Sequence, residues 1–152
     1  TRELKAYIQQ HPRDYLAYST LGKLSNVQLL LTDRKDEQIE RILAQAQTLA
    51  PERLEMPLVF AQRALLEGNY DAAAVFAEGG IAKSKKFVDF YRIAFIAYSL
   101  QGNEDKAFYA LDEGVRNGLP LVSEKEIGWL AQQYEKRGMN EEAQKWYERM
   151  GQ

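Results

Sequence analysis

Apolar residues recur along this chain at three- and four-residue spacing in short runs, each closed by a glycine and followed by a second run. The pattern is plainest in "EGNYDAAAVFAEGG" (67–80) and "QGNEDKAFYALDEG" (101–114), where Gly68, Asn69, Asp71, Ala73 and Gly80 return thirty-four positions later as Gly102, Asn103, Asp105, Ala107 and Gly114. A helical period broken by glycine predicts helix, turn, helix, and a fixed displacement predicts that this unit repeats. A third copy, "RGMNEEAQKWYERM", carries Gly138 and Ala143 at the same mutual spacing. It lies thirty-six residues on, and the two extra residues fall in "NGLPLVS" (117–123), where Asn-Gly and Pro mark a turn.

A helix hairpin cannot bury its apolar face alone, so such copies must stack. Ala73, Ala107 and Ala143 are expected where the two helices of a hairpin nearly touch. Gly80 and Gly114 fall inside second helices despite a cost of about 1 kcal/mol relative to alanine, which implies tight packing there. Gly68, Gly102 and Gly138 are expected to end first helices in the left-handed conformation. The first copy is longer by about five residues, placed in "LLLTDRKDE", which predicts an extended first helix or a long loop. Pro12 precedes Tyr15 as Pro51 precedes the second copy, so residues 1–11 read as the end of a helix from an earlier repeat and the chain as part of a longer array. The expected organisation is one domain over 1–152, with hairpins at about 15–51, 54–87, 88–121 and 124–150.

These hairpins resemble the tetratricopeptide repeat (TPR), whose first helix reads W-x2-L-G-x2-Y and whose second reads A-x3-F. The first helices offer Tyr18-x2-Leu21-Gly22, Pro57-x2-Phe60-Ala61-x2-Ala64, Tyr91-x2-Ala94-Phe95-x2-Tyr98 and Ile127-x2-Leu130-Ala131-x2-Tyr134. The second helices offer Ile39-x3-Leu43, Ala73-x3-Ala77, Ala107-x3-Leu111 and Ala143-x3-Tyr147. The resemblance implies an all-α fold, a right-handed superhelical solenoid of stacked antiparallel helix hairpins. It places Tyr18, Tyr91, Tyr98, Tyr134 and Tyr147 in the packing. The layout of "LAPERLE" followed by "NGLPLVSEKEIGWLAQQYEKRG" also resembles the C-terminal soluble repeat region of bacterial O-antigen ligase and polymerase membrane proteins. That likeness implies an upstream membrane domain with glycan-assembly activity, to which these repeats would be tethered.

Charge and composition narrow the chemistry. Twenty Lys and Arg against twenty-two Asp and Glu give a formal charge of -2 with no long block of either sign, so nucleic acid is not an expected partner. With no cysteine, thiolate metal sites, disulfides and cysteine nucleophiles are excluded, while the compartment stays open. The longest aliphatic run, "VQLLL", falls far short of the roughly 20 residues a membrane span needs, so no insertion is expected from this segment. His11, the single histidine, precedes Pro12 at a helix end, and pairs such as Glu141 and Glu142 open a helix, where negative charge suits the dipole. No convergent set of catalytic groups, metal ligands or cofactor-binding residues stands out, so the expected protein is not an enzyme and carries no cofactor.

The resemblance implies a concave surface lined by first helices that holds a protein or peptide ligand. Carried over by register, that lining is Ser19, Lys23 and Asn26, then Leu58, Gln62 and Leu65, then Arg92, Ile96 and Ser99, then Trp129, Gln132 and Lys136. Trp129 is the expected aromatic anchor. Lys23 and Arg92 would suit a clamp on a terminal carboxylate, but Gln62 and Ile96 break that set, and Leu58, Leu65 and Ile96 favour an amphipathic segment. The functions in view are a non-catalytic scaffold or recruiter, a positioning domain of a glycan-assembly protein, and a structural spacer or dimerising surface.

Overall fold

Each helix starts and stops where side chains or turns satisfy its free backbone groups. A computed structural model describes residues 1–150, arranged as α1 (Arg2–Gln10), α2 (Tyr15–Thr32), α3 (Glu37–Leu49), α4 (Glu55–Leu66), α5 (Tyr70–Lys83), α6 (Asp89–Leu100), α7 (Glu104–Arg116), α8 (Glu124–Lys136) and α9 (Asn140–Met150). Between α4 and α5, Gly68 takes φ +72°, Asn69 N–H donates to Ala64 O at 2.8 Å and Gly68 N–H to Leu65 O at 3.1 Å. That is a Schellman closure. The Asn69 side chain then accepts from Ala72 N–H and caps α5, so one residue ends one helix and begins the next. Gly102 and Asn103 repeat the device between α6 and α7, with Asn103 N–H on Tyr98 O at 2.9 Å.

The first hairpin departs from this two-residue turn. Its extra length is helical: α2 runs for 18 residues where α4 and α6 run for 12. Asp33, left-handed at φ 51°, closes it, and Asp36 caps α3 by accepting from Gln38 and Ile39 N–H. The link between the two helices stays short.

Hairpins α2/α3, α4/α5, α6/α7 and α8/α9 stack in chain order, with α1 laid against α2. The first helices α2, α4 and α6 touch one another in succession, so they form the inner row of an all-α solenoid. Burial falls into three successive clusters, around Leu21, Leu43 and Val59, around Ala77, Phe90 and Ala94, and around Tyr91, Leu111 and Leu130. Gly80 sets the spacing between the second and third hairpins, and Gly114 the spacing between the two helices of the third. A Cβ on Gly80 would collide with the Phe90 ring, and one on Gly114 would sit 2.7 Å from Tyr91 Cβ and 2.9 Å from Leu119 Cδ2. Tyr18, Tyr91, Tyr98 and Tyr134 are buried as expected, whereas Tyr147 is exposed at the last helix and donates to Glu135 at 3.1 Å. No later hairpin covers it among the described residues. None of the described helices is long and apolar enough to cross a membrane.

Candidate protein-interaction surface

The inner row is built from one register position in each first helix. Lys23, Gln62, Ile96 and Gln132 occupy it: Lys23 and Gln132 are exposed, Gln62 and Ile96 half-buried. Lys23 makes no ion pair among the described residues. One turn further along stand Val27, Leu66 and Leu100, which are 53%, 41% and 55% exposed and place an apolar band across α2, α4 and α6. On the long helix α2 the band widens, with Leu16, Leu24, Leu30 and Leu31 also exposed on one face. The register reading of the sequence omitted this band, although Leu66 and Leu100 lie thirty-four residues apart and carried the signal.

Several residues expected in the groove serve the stack instead. Asn26 is buried; its Nδ2 donates to Val59 O at 3.1 Å and its Oδ1 accepts from Arg63 Nε at 3.0 Å, so both atoms of its amide are tied to α4. Leu58 is 8% exposed in the core beside Phe90 and Ile93, and half-buried Leu65 packs on the same cluster. Ser19 is buried and donates to Leu16 O. Asn26 is taken up by the next first helix, while Leu58 and Leu65 are taken up by a core that α5 and α6 build together.

Arg92 is a strut between the third and fourth hairpins. Its guanidinium donates to the Glu126 carboxylate and to Pro120 O, while Glu126 also accepts from Val122 N–H at 2.9 Å. Both faces of its fork are occupied, which removes it as a free clamp for a carboxylate. Trp129 is half-buried, packed at 5.1 Å from the Phe95 ring, and its open side lines a shallow recess of about 330 Å3 with Ser99 and Glu104. Lys136 and Gln133 donate to Glu104 at 2.8 and 2.7 Å and hold its carboxyl below the usual range.

The helix order and stacking match solved structures over nearly the whole chain. Two crystal structures of MamA superpose with TM-scores of 0.73 and 0.71 at 19% identity, covering 98% of this chain and 83% and 78% of theirs. A thermophilic TPR protein of Thermus thermophilus, TTC0263, superposes at 0.65 and 15% identity over 97% of this chain and 77% of its own. The chain has the TPR fold. No family model and no curated protein matches it, so the glycan-assembly likeness gains no support from either. Within the TPR fold, the inner surface left open comprises Lys23, Gln62, Ile96, Gln132, the outer side of Trp129, and the band Val27, Leu66 and Leu100.

Proposed function

We propose that this chain is a non-catalytic protein-interaction module that holds an amphipathic protein segment along its first helices. One observation carries the reading: Val27, Leu66 and Leu100, at matched positions in three successive first helices, remain about half exposed. Scattered surface apolar residues need no explanation, but a band aligned by the repeat does. Lys23 and Gln62 on one edge supply polar contacts that would fix orientation. A photo-crosslinking residue placed at Leu100 should capture a protein partner in the native cell, while the same residue at Val75 on a second helix should not. Capture from Val75 alone would overturn the reading.

A further inference from the structure

On the side of α6 opposite Ile96, between α5 and α7, lies a slot of about 310 Å3. Its floor is Tyr91, Ala94 and Tyr98, one face of α6, and Ala110 of α7 forms part of its wall. The repeat shows what belongs there. Ala94 stands eight residues before Gly102 and Ala110 eight after it; the residues so placed about Gly68 are Phe60 and Phe76, whose rings stack at 5.9 Å. About Gly138 they are fully buried Leu130 and half-buried Trp146, both part of the third core cluster. The second and fourth hairpins thus carry two large side chains where the third keeps only two methyl groups.

The carboxylate at the same place also lacks the arginine that its counterpart has. In the fourth hairpin the Tyr134 hydroxyl donates to Asp112, and Arg116 pairs with that carboxylate at 2.9 Å. The matching hydroxyl–carboxylate pair at the slot is Tyr98 with Glu78, and the residue matching Arg116 is Ala82. Glu78 has no ion pair among the described residues. Nearby Lys106 lies over the Tyr98 ring at 5.1 Å, and Lys85 is bound to Glu113 at 3.0 Å.

We infer that the slot docks a segment of a partner protein that inserts a bulky apolar side chain over Ala94 and Ala110 and sets an arginine beside Glu78, supplying from outside the groups the neighbouring hairpins supply from within. A void lined by apolar groups accepts an apolar guest readily. The open rim, with Glu78, Ala82, Lys106 and Tyr109 exposed, selects the kind of guest. Small-molecule sites bury about 70 to 90% of the ligand, and a rim exposed on both α5 and α7 favours a partner protein, which brings its own cover. The inference is independent of the inner-row reading, since it concerns the opposite face.

Methyl NMR of Ala94 and Ala110 tests it, with N-acetyl-phenylalanyl-arginine amide as the probe. Saturable shifts are expected at both methyls, with the phenylalanyl-glutamate analogue weaker by about fivefold or more. Ala82→Arg, a change at an exposed site, should weaken the arginine probe by a similar factor because it restores the cation internally. Ala110→Phe should abolish binding without lowering the melting temperature; if it fails to fold, Ala82→Arg decides. Absence of saturable shifts, equal binding of the two peptides, or an unchanged affinity in Ala82→Arg would overturn the inference. So would tighter binding of tryptamine than of the peptide, which would make this a small-molecule site.

Discussion

Arg63 joins the first two hairpins from inside. Only 5% exposed, it donates to Asn26 Oδ1, to Ser25 Oγ at 2.6 Å and to the Glu40 carboxylate. A buried guanidinium is tolerated only when its fork is satisfied, and removing it strands its partners. Arg63→Ala should therefore cost about 2–3 kcal/mol, because Ser25 and Asn26 are left buried without a donor, while half-shielded Glu40 can turn to water. Exposed Arg34→Ala should stay within about 0.5 kcal/mol. Denaturant midpoints of the two variants check this, and equal midpoints would remove Arg63 from the stack. None of this was legible from the repeat alone. A step of one residue turns a helical side chain by about 100°, and that step separates half-buried Gln62 from buried Arg63 and exposed Gln132 from buried Gln133. Gly68, Gly102 and Gly138 were readable because a left-handed turn names its residue, whereas the fate of Asn26 depended on where α4 came to lie.

At the scale of elements, α1 is held by polar ties as well as by the packing of Ile8 and Leu4 on the first core cluster. Lys5 Nζ reaches Asp36, the cap of α3, at 2.5 Å, and the Tyr7 hydroxyl donates to Asp14, the cap of α2, at 3.0 Å. The bond from Lys5 is the main cause that lowers the Asp36 carboxyl, and the bond from Tyr7 does the same for Asp14. Because both folded values lie below the unfolded one, these ties stabilise the protein above about pH 4 and are lost as pH falls through the lowered values. Amide exchange in α1 should rise below about pH 4 before that of α4 to α6, and Asp36→Asn should show part of that increase already at neutral pH. Exchange in α1 that ignores pH over this window would contradict the tie. The pattern of runs and turns anticipated a helix here, but the partners of Lys5 lie more than thirty residues away and leave no local trace.

Across the whole molecule the joints differ in kind. The second and third hairpins meet by close backbone approach, α5 on α6, with Gly80 beneath the Phe90 ring. The fourth shares an apolar cluster with the third, Phe108 and Leu111 against Leu130 and Tyr134, and adds a set of long polar arms: Arg92 to Glu126, Lys136 to Glu104, Arg137 to Asp105, and Tyr134 to Asp112. Partly exposed ion pairs are screened by salt while apolar contacts are not. Raising NaCl from about 0.05 to about 1 M should speed amide exchange in α8 and α9 relative to α5 and α6, and a uniform response along the chain would count against this division. The same joint gives the molecule a mechanical grain. Under tension applied at its two ends, part of the load at the last joint passes through flexible arginine and lysine arms, whereas the joint before it rests on the close seat of Phe90 over Gly80, so the fourth hairpin should yield first and the middle of the chain should behave as the stiff link.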